Sequence, residues 1–391
     1  MSHKKILWLC SWYPSKVMPF NGDFIKRHAE AVSLYEDICV IHVVRDVKGT
    51  VTKDVFIEES ENKRLNERII YYYTPSYRVS LIDKYFSEFK YRKLYKQAVN
   101  NYMKTSGGPD LAHVHVGMKA GIIAWWLKNK KSVPYVISEH WSGILPESEE
   151  NVMDQPVYIR TLWKKVVAGA KAISAVSTHL AESLKKQFDI KEVTVIPNVV
   201  DTTIFYPAAA RSNDIRFIHI SGLEKLKNPK AIIQAFVNVI NIYPSAVLDI
   251  FGPFNKQLID FVSELEIEEN IYFHNEIPQT QLAEFVRQSI ALVLYSSYET
   301  FGCVIIEANA CGIPVLVSDI PVFHETVQEG MNGSFVKLND PNALAERMIE
   351  LIMNRSSFND NEIVSGSSKY SYEKVGKLFS DWYNDVLSKK V

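Results

Sequence analysis

Short apolar runs alternate with longer amphipathic ones along this chain, and the series starts twice. The first series reads KILWLC, ICVIHVV, IIYYYT, LAHVHV, PYVISE, AISAVS and VTVIPN. The second reads RFIHIS, AVLDIFG, IYFHNE, IALVLYS and PVLVSD. These are strand patterns. FIKRHAEAVSLY, AGIIAWWLKNK and THLAESLKKQF among the first set, and AIIQAFVNVINIY, QLAEFVRQS and ALAERMIELIMN in the second, read as helices. Strand and helix in alternation predict βαβ units and a parallel sheet.

The restart follows PNVVDTTIFYPAAARSND, residues 197–214, whose two prolines, alanine run and polar tail mark a linker. The fold class expected is therefore α/β, with two doubly wound domains at 1–206 and 207–370. An amphipathic helix over 371–391 follows no strand, and packing back on the first domain is one option for it. A chain of 391 residues is long enough for two domains of ordinary size.

Composition narrows the function classes. An apolar fraction of 47% describes a globular protein. Lys plus Arg number 44 against 45 for Asp plus Glu, so no global charge calls for nucleic acid. Cys10, Cys39, Cys303 and Cys311 form no CxxC pair, and each falls in or beside an apolar segment. They read as buried thiols in a reducing compartment. The N-terminal MSHKKILWLCSWYP lacks a small-residue cleavage site, and no stretch reaches the ~18 apolar residues of a membrane span. A cytoplasmic location is expected, with the inner membrane face as a second possibility.

In open parallel sheets, ligands bind beyond the carboxyl ends of the strands. With two such sheets the default site is the cleft between them. Gly22 follows the first strand, His140 follows PYVISE, Lys227 follows RFIHIS and Glu299 follows IALVLYS. No GxG, GxxxxGK[ST] or DxD occurs, which removes the dinucleotide fingerprint, the P-loop and a simple metal–diphosphate clamp.

The stretch SSYETFGCVIIEANACGIPVLVSD, residues 296–319, supplies another way to hold phosphates. Glu299 to Gly302 reads as a turn and Cys303 to Ala310 as a helix. Backbone N–H groups around Gly302, Cys303 and Val304 then leave a helix N-terminus open to phosphate oxygens. Glu307, within that apolar helix, is placed to accept hydrogen bonds from two vicinal hydroxyls such as those of a ribose. The helix dipole alone accounts for Glu299 but not for Glu307.

These residues resemble the E-x7-E signature of the GT4 family of retaining glycosyltransferases. ETFGCVIIE carries seven residues between Glu299 and Glu307, and ANACGIPVL follows it. VHV at 114–116, SEHWSG at 138–143, SAVS at 174–177, IPNVVDTTIF at 196–205 and LKNPKAIIQAF at 226–236 agree in order, as does EGMNGSFVKLNDPNALAERM. The resemblance covers roughly residues 5–350.

It implies a GT-B fold, two Rossmann-like domains facing across a cleft, with the nucleotide-sugar held mainly by the second. It gives Glu307 the ribose hydroxyls, Glu299 the transferred sugar, and Gly302 to Val304 the distal phosphate, with Phe301 beside them as a donor-binding residue. It gives Lys227 the diphosphate leaving group, His140 the donor sugar, and Gly22 a place near the diphosphate and the acceptor. Base recognition is expected from backbone groups near Glu276 and Ile277. No metal and no cofactor are expected. One departure stands out in SGLEKLK, residues 221–227: Gly222 occupies the place where the family often has an Arg, leaving Lys227 alone or with Lys225. The first-strand loop YPSKVMPFNGDF also has one glycine where many relatives carry two.

The implied reaction moves a hexose or related sugar from a UDP- or GDP-sugar to a hydroxyl of a glycan or lipid-linked acceptor. Cell-surface polysaccharide or glycolipid synthesis is the setting expected. A nucleotide-sugar epimerase or a phosphorylase of the same fold is the enzymatic alternative; a non-catalytic nucleotide-sugar or glycan-binding relative is the third. Slow donor hydrolysis without acceptor separates catalyst from binder.

Two further features carry alternatives. His113 and His115 alternate on a strand and with His140 suggest a metal site, against which packing and hydrogen bonding is the expectation. Residues 78–104 mix basic residues with tyrosines and phenylalanines. That pattern fits an ordinary helix packing its aromatic side on the sheet, or a peripheral membrane contact through 84–104.

Overall fold

The computed structural model describes residues 3–75, 80–210 and 214–389. It divides into two compact units, Met1–Val199 with Tyr372–Val391, and Val200–Ser371.

The first unit is built on an eight-stranded sheet. Its strands are β1 (Lys5–Cys10), β2 (Asp37–Arg45), β3 (Val55–Asn62), β4 (Leu65–Tyr72), β5 (Leu111–His115), β6 (Tyr135–Glu139), β7 (Ile173–Ala175) and β8 (Thr194–Val195). They lie in the order β3-β4-β2-β1-β5-β6-β7-β8. All neighbours are parallel except β3 and β4. β5 and β6 are buried along their whole length and β1 beyond Lys5, as strands covered on both faces must be. β3 was not foreseen from the sequence. Its VFIEESEN is mostly exposed and carries charge, the composition of an edge strand, so it has no apolar run to announce it.

The second unit holds β9 (Arg216–Ile220), β10 (Val247–Phe251), β11 (Ile271–His274), β12 (Ala291–Leu294), β13 (Val315–Ser318) and β14 (Gly333–Val336). Their order is β11-β10-β9-β12-β13-β14, all parallel. This is the doubly wound order, in which the direction of winding reverses between β9 and β12. In the first unit the reversal falls between β1 and β5. The four-residue β14 and the helices Val157–Gly169, Lys256–Glu264 and Asp360–Ser367 also escaped the sequence pattern.

The chain enters the second unit at Val200, ahead of the proline and alanine run. Arg287, buried on the helix Gln279–Gln288, donates to the carbonyl of Ile204 at 2.9 Å and lies over the Tyr206 ring at 4.4 Å. The linker residues 211–213 lie outside the described residues. At the other end, the helix Tyr372–Ser388 packs on Asp23–Val32 of the first unit. Ser380 donates to Glu36 at 2.6 Å, and the Tyr383 hydroxyl bonds His113 Nδ1 at 2.6 Å.

The long helix Ser80–Ser106 serves two ends differently. Tyr91, Tyr95, Ala98, Val99 and Tyr102 are buried, so its later turns follow the packing expectation. Its first turns leave Tyr85, Phe86 and Phe89 exposed. Residues 78 and 79 of the basic aromatic stretch lie outside the described residues.

Candidate active site

The carboxyl ends of β9 and β12 sit side by side at the winding reversal of the second unit. Beyond β9 the chain makes a single 3-10 turn, Lys225–Lys227, and then the helix Pro229–Ile242 begins. Asn228 joins the two in a left-handed backbone, φ 50°. Its side-chain amide is spent across the reversal, donating to the Tyr295 carbonyl at 3.0 Å and Ser297 Oγ at 2.9 Å. Ser297 N donates to the Leu226 carbonyl at 2.7 Å. These bonds dock the lysine turn on the loop after β12, and there the Lys227 ammonium pairs with the Glu299 carboxylate. Ser296 Oγ donates to the same carboxylate oxygen at 3.1 Å.

Underneath, His219 of β9 is fully buried and ties the layers together. Its Nδ1 donates to the Val293 carbonyl and its Nε2 meets Ser221 Oγ, both at 2.8 Å. Burial first, and the Lys227 charge after it, lower its pKa to about 4. It is a neutral strut, and the sequence alone did not single it out. Gly222 is exposed, and a Cβ there would collide with the Glu224 carboxylate, so a side chain at 222 would have to displace Glu224.

The E-x7-E stretch forms the predicted turn and helix. Gly302 caps the helix Cys303–Ala310 with φ 85°, a backbone that side chains resist. Ile305 N closes the first turn on the Gly302 carbonyl at 3.0 Å. The first turn brings no acidic side chain to that N-terminus, and its amide dipoles favour an anion. Cys303 and Val304 are half-buried at the mouth of this turn. Phe301 turns inward, its ring edge-on to Tyr370 at 5.8 Å, so what it can present to a ligand is main chain.

Glu307 is only 3% exposed. Gln279, the first residue of the helix after the β11 loop, reaches its Oε1 with Nε2 at 3.5 Å. Ile277 is two residues before Gln279, so the β11 loop and the E-x7-E helix form one wall. The wall is braced from behind by two buried asparagines. Asn332 donates to Asn309 Oδ1 at 2.8 Å and to the Thr326 carbonyl at 2.9 Å, while Asn309 donates to the Ile313 carbonyl at 3.0 Å. Both letters were visible in ANACG and MNGS, but only the fold pairs them.

Gly22 and His140 belong to the first unit. Gly22 caps Asp23–Val32 at φ 74°, and a Cβ on it would lie 2.8 Å from the Trp12 carbonyl carbon and 2.9 Å from Tyr13 N. His140 follows β6 beside Glu139, whose carboxylate is fully buried. That carboxylate accepts from Gly117 N at 3.0 Å, His140 N at 2.9 Å and Trp141 N at 3.0 Å. Burial raises its pKa and the three N–H groups oppose the rise. Glu139 thus fixes the loops after β5 and β6, a role the sequence did not assign to it.

The histidine set differs from the one expected. His113 is occupied by Tyr383 and Ser138. The group that gathers is His28, His115 and His140, whose ligand atoms lie within 4.8 Å of one another. His115 Nδ1 and His140 Nε2 share a hydrogen bond at 3.2 Å, and Trp8 stacks on His115 at 3.9 Å. His28 Nδ1, His115 Nε2 and His140 Nδ1 have no partner. Burial first, then mutual repulsion of His115 and His140 with neighbouring histidines and of His28 with Arg27, lowers all three pKa values, His28 to about 3. Among the described residues no carboxylate or thiolate joins the set, so a dication there would keep its full charge in a buried place, which is costly. The arrangement suits neutral, packed imidazoles.

Comparison with known proteins gives the family. The family described as Glycosyl transferases group 1 matches residues 201–364, and Glycosyltransferase Family 4 matches residues 51–204. The chain belongs to the GT4-type glycosyltransferases. As an enzyme of this family it is a transferase. An uncharacterised glycosyltransferase from Methanocaldococcus jannaschii is 29% identical over 69% of this chain and 73% of its own. The N-acetyl-alpha-D-glucosaminyl L-malate synthase of Bacillus anthracis is 24% identical over 71% and 75%. The Anabaena protein HepE, solved in complex with UDP and glucose, shares the GT-B fold with a TM-score of 0.73 at 16% identity, covering 98% of this glycosyltransferase and all of HepE. Lys227, Ile277 and Glu299 to Glu307 fall within the first matched segment, and His115 and His140 within the second. Gly22 and His28 precede both.

Proposed function

We propose that this glycosyltransferase transfers a sugar, with retention, from a nucleoside-diphosphate donor to an acceptor hydroxyl. The observation that carries the proposal is the arrangement at the β9–β12 reversal. A half-buried cation, Lys227, pairs with Glu299 just ahead of a glycine-capped helix N-terminus, and that apolar helix carries the buried carboxylate of Glu307. The cation and the amide dipoles suit a diphosphate. Glu307 suits a vicinal diol, and backbone near Ile277 suits a base. Of the nucleotides, UDP is favoured, by analogy with HepE.

In the reaction the bond from the anomeric carbon to the diphosphate oxygen breaks, and the acceptor oxygen bonds to that carbon on the same face. The acceptor proton passes to the departing phosphate oxygen. Lys227 and the amides of the Gly302 turn stabilise the charge that develops on the diphosphate. Glu299, held by Lys227 and Ser296, faces the transferred sugar. The diphosphate charge is met by protein groups, so no divalent metal is called for. The acceptor is a glycan or lipid-linked hydroxyl, and the cytoplasm is the proposed compartment. Among the described residues no helix is long and apolar enough to cross a membrane.

The test is a panel of UDP- and GDP-sugars, with and without EDTA, read by nucleotide release and by the anomeric configuration of the product. Release from one UDP-sugar, unaffected by EDTA and giving the donor's own configuration, is expected. Inversion, or activity only with added metal, refutes the mechanism.

A further inference from the structure

The geometry points to a face of the first unit that docks on an anionic lipid bilayer, formed by the first turns of Ser80–Ser106 and by the helix Val157–Gly169. Between these two helices and the start of Ala120–Lys131 lies an open groove of about 570 Å³. Its floor is apolar, with Ile122, Ile159, Leu162 and Trp163. Its lips carry Tyr85, Phe89 and Tyr158, which are 68%, 59% and 65% exposed. Ile82, Phe86 and Val157, also exposed, flank them. Half of such a set would be ordinary surface; six large apolar side chains on two adjoining helices mark an interaction site.

Charge selects the partner. Ser80–Ser106 has six basic residues against Asp83 and Glu88, with Lys90 paired to Asp54 at 3.0 Å. Ala120–Lys131, with Lys119 before it, has four lysines and no acid. Val157–Gly169 has Arg160, Lys164 and Lys165 and no acid. At the groove itself Arg92 is paired with Glu88 at 2.8 Å, while Lys84 and Lys119 are exposed on its rim. The chain as a whole has a net charge of −1, so this basic excess is local. Exposed tyrosines and phenylalanines between lysines are the chemistry of a surface that seats its rings at the headgroup boundary of an anionic membrane. A polar protein partner would leave the rings in water, and a neutral apolar one would leave the lysines unmatched. The surface is independent of which donor the enzyme uses, since none of these residues lies at the β9–β12 reversal.

The experiment sediments the full chain with sucrose-loaded vesicles of phosphatidylcholine alone, or with a third of phosphatidylglycerol. Binding to the anionic vesicles is expected, falling as salt is added. Each basic residue at such a surface multiplies the partition about fivefold, so a preference of at least about tenfold over neutral vesicles is expected. Phe89→Ser with Tyr158→Ser, and separately Lys84→Glu with Lys119→Glu, lose that binding. Both double variants keep the wild-type melting temperature and the rate of donor hydrolysis in solution. Equal binding to both vesicle types, binding to neither, or wild-type binding by both variants overturns the proposal. A dimer of the free protein that Phe89→Ser with Tyr158→Ser dissociates assigns the face to a second copy of the chain and overturns it too.

Discussion

Lys227 and Glu299, seventy-two positions apart in the sequence, form one ion pair at the mouth of the second sheet, with side chains only 19% and 13% exposed. Neither partner is local to the other. The pair exists because β9 and β12 are neighbours at the winding reversal, and each residue lies in the loop that leaves its strand. A lone cation there would be an expensive charge to hold, and Glu299 offsets it; in the proposed reaction a diphosphate would compete for it.

The pair sets the first prediction. Lys227→Ala lowers turnover by about a hundredfold, the usual order for removing a group aimed at developing charge. It also leaves the largely buried Glu299 without its counter-charge, with only Ser296 donating to it, so stability falls as well. Adding Glu299→Gln restores the melting temperature but not the rate. A double-mutant cycle of thermal melts and steady-state rates reads both, and simple additivity in both measurements would contradict the coupling.

Glu307→Gln preserves shape and removes charge. Hydrogen bonds to a charged acceptor are worth about 1.5–3 kcal/mol, so donor affinity drops about tenfold to a hundredfold. Turnover at saturating donor changes far less. Calorimetric titration with UDP measures it; an unchanged dissociation constant removes Glu307 from the ribose.

Gly302→Ala strains the backbone at φ 85° and sets a Cβ 3.0 Å from Ile305 Cδ1 and Phe323 Cε1. A loss of about 1–3 kcal/mol is expected, together with weaker UDP binding, because the first turn must shift. Urea unfolding with and without UDP separates the two effects. A variant as stable as the parent would show that the turn tolerates a side chain.

The buried histidines predict how stability depends on pH. His28, His42, His113, His115, His140 and His219 all have lowered pKa values, with burial the largest cause. The unfolded chain takes up protons near pH 6.5 while the folded chain refuses them until far lower. Stability is therefore full above about pH 6.5 and is lost as pH falls toward the folded values. His28 and His42, at about 3 and 4 when folded, each remove about 2 kcal/mol between pH 7 and pH 5. Urea midpoints at the two pH values test this, and a flat profile would mean that the histidines are solvated.

Much of the candidate site was legible early because it is local. Glu299, Gly302 and Glu307 sit within nine residues, and a turn followed by a helix start is written in their order. Lys227 was found from its place after a strand. His28 was not, because a histidine on an amphipathic helix carries no signal of what it faces. Glu139 and His219 were passed over for a related reason. Their function is to hold backbone, and nothing in their own neighbourhood says which backbone.

The sequence by itself determined the two series of strands and helices and the E-x7-E turn, since both depend on spacings of a few residues. Only the tertiary structure decided that His28 joins His115 and His140, that Lys227 meets Glu299, and that Asn309 meets Asn332. It also drew the exposed rings of Ser80–Ser106 and Val157–Gly169 to one groove. Those contacts follow from which strands lie side by side, and strand order is set by packing across the whole sheet rather than by any run of residues along it.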